Sequence, residues 1–417
     1  MPTRRCSTIV CAATPRSSTA ATASRPPGPS STPSSMSGAQ PKPPPCRNIL
    51  PVAGARGNPI YCSSATIESG TTRSRDIWLI KSIQEVQGEL VILAGDVGGT
   101  KCNLALFSEK GGTLTPVFKQ RFASKEFAQF DLIVKEFARQ AADHLGSERI
   151  AAAGFGIAGP VINGRVRATN LPWIVDTATL IKEVAVPNVV LLNDLGATGH
   201  SLEHLSPEDF CVLNPGVPEP GGTRALLAAG TGLGQSILVW YGGRYRVVPS
   251  EGGHSDFAPH TEQQIELLRF MRRRYPQVSW ELILSGRGFR TLHEFLAPKV
   301  THASFDDPDA DPAPEITRRG LDKSCRVCSD TLDLWTAIYG AEAGNLALKV
   351  LALGGVYVAG GIAVKILEKI KDGTFFHAFK DKWKFEGLLS NIPVSIVLNE
   401  SAPLIGAAYE ALAAVDK

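Results

Sequence analysis

Val91-Ile92-Leu93-Ala94-Gly95-Asp96-Val97-Gly98-Gly99-Thr100-Lys101, followed by Cys102-Asn103-Leu104-Ala105-Leu106-Phe107, is the stretch that decides how this 417-residue chain folds. It spells an apolar strand, a tight turn on Gly98-Gly99 and a second apolar strand, with the carboxylate of Asp96 where the first strand ends. Glycines at such a turn let backbone N–H groups converge, and an anion can approach with no Cβ in the way. A carboxylate beside it suits a magnesium ion on a polyphosphate. An ordinary Gly-Gly hairpin has the same local pattern. The rest of the chain separates the two readings.

Upstream, residues 1–90 form a Ser/Pro/Arg-rich tail without apolar periodicity, unable to bury enough surface to order itself. Nine of the 43 Lys/Arg and one of the 40 acids lie in residues 1–75, so the overall +3 hides a body with 34 basic and 39 acidic residues. A Ser/Arg-rich, acid-poor N-terminus resembles an organelle transit peptide. The preferred expectation is instead a translation start at Val91, with the stretch before it not part of the native protein.

The body is mildly acidic with no basic stripe, which argues against nucleic acid as partner. With 43% apolar and 20% charged residues the composition is that of a globular protein. No apolar run approaches the roughly 20 residues of a membrane span. The eight cysteines are irregularly spaced and are read as reduced.

Downstream, Leu114–Phe122 adds a third strand and Phe127–His144 has helical spacing. Ile150–Ile157 reads as a buried strand, Asn163-Gly164 as a hairpin turn, and Asp176 or Thr177 as the cap of a helix through Val184. Val189–Leu192 is a strand ending in Asn193-Asp194. A second block repeats the opening logic: strand Ala225–Ala229, glycine turn Gly230-Thr231-Gly232-Leu233-Gly234, returning strand Gln235–Tyr241. Helices are predicted at Glu262–Arg274, Trp280–Leu284, Gly288–Leu296, Leu332–Ala352, Ile362–Lys371 and Pro403–Val415, with Ala297–Pro314 as a surface loop and Ile392–Leu398 as a strand. Two α/β blocks, each headed by a hairpin, predict a duplicated α/β fold.

Three glycine turns, Asp96–Thr100, Gly230–Gly234 and Gly360-Gly361, each follow an apolar strand, and two facing hairpin turns plus a strand–Gly-Gly–helix element can clamp a nucleoside triphosphate. Six motifs then occur in order: Asp96-Val-Gly-Gly-Thr100, Leu192-Asn-Asp194, Ala229-Gly-Thr-Gly-Leu-Gly234, Glu251-Gly-Gly-His-Ser-Asp-Phe-Ala-Pro259, Leu284-Ser-Gly286 and Val358-Ala-Gly-Gly-Ile362. Over residues 91 to about 415 the chain resembles the bacterial glucokinase family of the hexokinase/actin-like ATPase superfamily.

The resemblance implies an α/β, two-domain actin-like ATPase (ribonuclease H-like) sugar-kinase fold with a cleft between the domains. The small domain is expected at 91–204, completed by the helix in 396–417, and the large domain at 205–395. The implied reaction is D-glucose plus ATP to glucose 6-phosphate plus ADP, with Mg2+, at the entry of glycolysis in the cytoplasm. A homodimer is the implied assembly.

Matched onto the motifs, Asp194 is the expected catalytic base, and an Asp suits a transfer that needs positioning and charge neutralisation above all. Asn193-Asp194 is equally a pair that caps the next helix. Asn170, Asn193, Asp194, Glu251, His254 and Glu281 are the expected sugar-binding set, whose carboxylates and imidazole meet ring hydroxyls in fixed directions. Asp96, Gly98, Gly99 and Thr100 make the first phosphate loop, with Asp96 reaching magnesium, directly or through water. Gly230, Thr231 and Gly232 make the second loop, and Gly360 and Gly361 the nucleoside side. A kinase for another hexose such as mannose or fructose, and a sugar-responsive regulator of the same fold, are the alternatives; residues 1–90 lack the helical periodicity of a DNA-binding head.

Other signals are set aside. Gly154-x-Gly156-x-x-Gly159 matches a dinucleotide fingerprint, but Pro160 and an Asn-Gly hairpin follow it where a helix is required. Cys325-x-x-Cys328 is lone in sequence, without a second pair or a nearby His, and the chain lacks the cysteine cluster with which some related kinases hold zinc, so zinc is not expected. Arg269, Arg272, Arg273 and Arg274 read as a solvated helix end or dipole partner. His200 and His204 lie one turn apart with no evident third ligand.

Overall fold

The computed structural model describes residues 90–145, 149–169, 171–307 and 311–415. The tail expected at 1–90 therefore lies, but for Leu90, outside the described residues, as does Asn170.

The opening stretch folds as read. β1 (Leu90–Val97) and β2 (Lys101–Lys110) pair antiparallel, with Val97 opposite Cys102, and β3 (Thr113–Ala123) pairs with β2. Alternation does not show in β1, because both faces of the sheet are covered and Val91 to Ala94 are all buried. One face receives α1 (Phe130–Leu145), whose Phe130, Ile133, Val134, Phe137 and Ala141 recur at helical spacing and are buried. The chain then enters β4 (Ile150–Ile157), parallel to β1.

A small sheet follows: β5 (Val161–Ile162), β6 (Arg165–Arg167) and β7 (Ile174–Asp176). Asn163 and Gly164 turn between β5 and β6 with φ of 51° and 70°, the left-handed pair that an Asn-Gly hairpin needs. Asp176 caps α2 (Thr177–Val184), accepting from the Ala178 and Thr179 amides. Then β8 (Asn188–Asn193) joins β4 in parallel and runs straight into α3 (Asp194–Ser201). The first sheet is thus ordered β3-β2-β1-β4-β8.

The second block starts with β9 (Phe210–Asn214), a strand the sequence reading did not identify. It continues with β10 (Arg224–Ala229), β11 (Leu233–Tyr241) and β12 (Arg244–Ser250). Helices α4 (Glu262–Met271), α5 (Trp280–Ile283), α6 (Gly286–Leu296), α7 (Ala303–Asp306), α8 (Ala313–Leu321) and α9 (Arg326–Val350) come next. Helix α7 lies in the stretch expected to be plain loop, and α9 begins six residues before the expected start. β13 (Gly355–Ala359) leads to α10 (Gly361–Lys365) and α11 (Leu367–Lys371), two short helices where one was expected. Ile366, at φ −109° and ψ 25°, breaks them. The chain closes with α12 (Thr374–Lys380), α13 (Glu386–Ser390), β14 (Val394–Val397) and α14 (Ala402–Val415).

The second sheet is ordered β12-β11-β10-β13-β14-β9. Set β9 aside and it repeats the first: an antiparallel hairpin strand pair, the leading strand, then two parallel strands. The duplication expected from the two glycine hairpins is real. Helix α14 returns to the first block, packing Leu404, Ala407, Ala408 and Ala411 against Ile92, Ala94 and Ala152.

The dinucleotide-like glycines have packing reasons. A Cβ on Gly154 would collide with the Ala407 carbonyl of α14, and one on Gly156 would lie 2.9 Å from the Ala197 Cβ of α3. Gly159 sits at φ +134°, which an L side chain rarely adopts. The fingerprint is a record of close helix–strand approach. Among the described residues no helix is long and apolar enough to cross a membrane.

Candidate active site

Strand register brings the chemistry together. Asp96 pairs with Gly156 of β4, and the next residue, Ile157, pairs with Asn193 of β8, so Asp96 and Asn193-Asp194 emerge side by side at the carboxyl ends of neighbouring parallel strands. That end of an open α/β sheet is where ligands are bound. Gly156 lets α3 come this close: an added Cβ would be only 2.9 Å from the Ala197 Cβ, while the Asp194 Cα would lie at an ordinary 3.6 Å.

Asn193 is the N-cap of α3. Its Oδ1 accepts from the amides of Leu195 (3.1 Å) and Gly196 (3.2 Å), and its Nδ2 donates to the Gly159 carbonyl at 3.3 Å. Both ends of the amide are therefore engaged inside the protein. Asp194 occupies the first helical position, where its Oδ1 accepts from the Leu195 amide at 2.8 Å. The pair is thus a cap and a poised carboxylate at once, and the two readings from sequence do not compete.

Both carboxylates are held above the ordinary Asp range. For Asp194 the cause is loss of solvent around it, opposed by the hydrogen bonds from Leu195 and Asn193. For Asp96 burial again dominates, the Asn103 hydrogen bond opposes it, and the negative charge of Asp194 adds to it. A raised pKa is what a proton acceptor near neutral pH needs.

Among the described residues neither carboxylate forms an ion pair with a basic side chain. Two neighbouring desolvated carboxylates, on one of which Lys101 and Lys119 act only from beyond ion-pair distance, fit a hard divalent ion such as Mg2+.

The first turn is locked from beneath. The Gly98 amide donates to the Lys101 carbonyl at 3.0 Å, and the Ser124 hydroxyl donates to the Gly98 carbonyl at 2.7 Å. Cys102 Sγ lies 3.3 Å from Ser124 Oγ, and burial pushes its thiol up to about 11, which makes it inert packing. Asn103, which the sequence reading passed over, donates to Asp96 Oδ2 at 3.1 Å and accepts from Arg121 Nε at 2.9 Å. Its signal was present in the sequence: it is the one amide in the apolar run Cys102–Phe107.

The second turn lies between β10 and β11. Gly230 donates to the Gly232 carbonyl at 2.8 Å, and Gly286, at the start of α6, donates to the Gly230 carbonyl at 2.9 Å. A Cβ on Gly234 would lie 2.9 Å from Leu195 Cδ2, so this turn abuts the helix that begins with Asp194. Glu281 on α5 accepts from the Leu233 amide at 3.0 Å, and its carboxylate fills the place of a Gly232 side chain.

Glu281 also belongs to a second group. Its Oε1 is 3.9 Å from His254 Nδ1, and His254 Nε2 is 4.0 Å from Glu251 Oε2. Glu281 on α5 thus meets Glu251 and His254, which stand on a loop whose Gly252 and Gly253 fit against Gln235 and the Leu233 carbonyl. Gly360, at φ +90°, turns from β13 into α10 with its α-carbon against the Ala229 backbone. Open space faces Gly230 and Gly361, where an added Cβ meets nothing within 4 Å.

The declined histidines have partners of their own: His200 Nδ1 pairs with Glu410 Oε1 at 2.9 Å, and the His204 ring stacks on Tyr409 at 3.4 Å. In the basic helix end, Arg274 pairs with Glu294 at 2.7 Å and Arg272 donates to the Pro276 carbonyl at 2.7 Å. The view of Cys325 and Cys328 as a pair without a nearby histidine is wrong. His302 Nε2 lies 3.7 Å from Cys325 Sγ and 3.1 Å from Cys328 Sγ, because the fold returns α7 to the start of α9.

The model of the glucokinase family matches residues 93–414. The glucokinase of Synechocystis sp. is 40% identical over 341 residues, spanning 76% of this chain and 96% of its own length. That of Nostoc sp. is 37% identical over 337 residues, 76% of this chain and 98% of its own. Among solved structures, a glucokinase from an Antarctic psychrotroph superposes with a TM-score of 0.68 at 27% identity, covering 78% of this chain and 99% of that one. A Balamuthia mandrillaris glucokinase solved with glucose has a TM-score of 0.67 at 20% identity, over 81% and 99% of the two chains, a likeness of fold. With its duplicated sheets in two α/β blocks of the actin-like ATPase kind, the chain belongs to the glucokinase family.

Proposed function

We propose that this protein transfers the γ-phosphoryl group of ATP to the 6-hydroxyl of D-glucose, giving glucose 6-phosphate and ADP. The observation that carries the reading is Asp194, at the first position of α3 beside Asp96 and against the second glycine turn. Family membership supplies the substrate class.

In this reading Asp194 takes the proton of the sugar 6-hydroxyl as that oxygen bonds to the γ-phosphorus and the bond to the ADP oxygen breaks. Glu251, His254 and Glu281 orient the ring, and Asn193 acts by fixing the α3 terminus that holds Asp194. Asn170 belongs to the proposed sugar wall by motif alone. Gly98 and Gly230 shape the two phosphate turns, their own amides closing them, the amides of Gly99, Thr100, Thr231 and Gly232 face the phosphates, and Gly360 and Gly361 the nucleoside. Asp96 is the residue that would hold Mg2+. When bound, that ion neutralises charge on the β- and γ-phosphates.

The domain division that fits this reading is 91–204 with 396–417, and 205–395, with the cleft between them closing on sugar to exclude water. A cytoplasmic homodimer completes the proposal; sedimentation at assay concentration checks the assembly.

A coupled assay across glucose, mannose and fructose with ATP or polyphosphate tests the reading. Glucose with ATP should give the highest kcat/KM, and Asp194→Asn should lower it about a thousandfold. Turnover of glucose no greater than in that variant would overturn the proposal.

A further inference from the structure

Away from the site just described, four side chains from three parts of the chain converge. His293 comes from the last turn of α6, His302 from the residue before α7, Cys325 from the residue before α9 and Cys328 from its first turn. One ligand atom from each lies within 4.8 Å of the others. His293 is wholly buried, yet neither of its ring nitrogens has a hydrogen-bond partner. Burying an imidazole without a partner is costly, so its orientation calls for an occupant. Phe305 lies edge-on to both imidazoles, with ring centroids 5.0 and 5.5 Å away, and walls the cluster.

We propose that His293, His302, Cys325 and Cys328 bind a structural zinc ion. Two imidazoles and two thiolates are the tetrahedral donor set that zinc prefers, and two thiolates cancel the charge of the ion. Bond lengths of about 2.3 Å to sulfur and about 2.0–2.1 Å to nitrogen set ligand–ligand edges of roughly 3.3–3.8 Å in a tetrahedron. The 3.1 and 3.7 Å separations of His302 Nε2 from the two sulfurs fall on either side of the roughly 3.5 Å of a nitrogen–sulfur edge, and the remaining edges close by about 1.5 Å at most.

Four protein ligands leave no open position for a substrate, so the ion staples the fold. What it staples is specific. Helix α6 begins with Gly286, whose amide donates to Gly230 of the second glycine turn, and ends beside His293; the ion ties the far end of that helix to the start of α9. Cys102 and Cys211 lie outside the cluster and serve as internal controls.

The full chain, purified without chelator and exposed to zinc, should hold one zinc per chain by elemental mass spectrometry. Cobalt substituted for it should show tetrahedral d–d bands and a thiolate-to-cobalt charge-transfer band. Both signatures should survive Cys211→Ala and fall at least about tenfold in Cys325→Ser/Cys328→Ser. Should that double variant fail to fold, the wild-type chain answers alone: chelation should lower its Tm and zinc should restore it. A chain that takes up no zinc, a cobalt spectrum without the thiolate band, or a Cys325–Cys328 disulfide in metal-free protein overturns the proposal. So does a charge-transfer band unchanged in the double variant.

Discussion

Burying the expected base works against the stability of the fold. Desolvation raises the pKa of Asp194 in the folded state above its unfolded value. The folded protein then holds that proton more tightly, and ionisation costs stability as pH rises from the unfolded pKa through the folded one. Asp194→Asn removes this cost while removing the proton acceptor. Activity should fall by about a thousandfold. The Tm at neutral pH should not drop below that of the parent, and any gain should narrow as pH falls through that window. Parallel kinetics and thermal denaturation over a pH series check it; a large Tm loss with the activity would make Asp194 a structural residue. Asn103 offers a companion test. Its amide opposes the burial of Asp96 and aims one of its oxygens. Asn103→Ala should lower kcat/KM by about tenfold or more, as loss of a residue orienting a metal ligand does. Its acid limb should move to higher pH, since the group that lowered the Asp96 pKa is gone.

At the scale of elements, the glycine turns split into two kinds that sequence does not distinguish. Gly232 is enclosed by the Glu281 carboxylate, whereas Gly361 faces open space. Gly232→Ala should push Glu281 away from both the Leu233 amide and His254, and so damage sugar and nucleotide kinetics together. Gly361→Ala meets no protein atom; it should leave stability within about 1 kcal/mol of the parent and raise KM for ATP selectively. Steady-state kinetics against each substrate separate the two outcomes. Much of this was readable beforehand, since strand, glycine turn and returning strand lie in one local run at Asp96–Thr100 and again at Gly230–Gly234. Strand β9 was not readable: it is short and half-exposed, and it exists because β14 offers it an edge. Nor was the four-ligand cluster. Its histidines lie 23 and 32 residues before Cys325, and only the packing of α6 and α7 against α9 brings them in.

Across the whole molecule, α3 is the shared part. It carries Asp194 at its first position, packs Leu195, with Leu202 just beyond its end, against Leu226 and Leu238 of the second sheet, and lies against α14, which covers the first. The helix that holds the proposed base therefore touches both α/β blocks, as α14 does through Ala402. The contact with α14 is made at Gly406, where a Cβ would strike the Ala197 carbonyl and lie 2.8 Å from the Ser201 amide. Both partners are helix backbone and neither can yield alone. Gly406→Ala must part α14 from α3, an overpacking that costs about 1–3 kcal/mol. Because α3 shifts as a body, the change should also appear in chemistry, with kcat falling more than KM for glucose rises. Glu251, His254 and Glu281 stand on other elements and keep their places. Denaturant unfolding combined with glucose kinetics tests this. A stability loss in the expected range with unchanged kcat would show that Asp194 is positioned by the Asn193 cap alone, independently of the helix packing behind it.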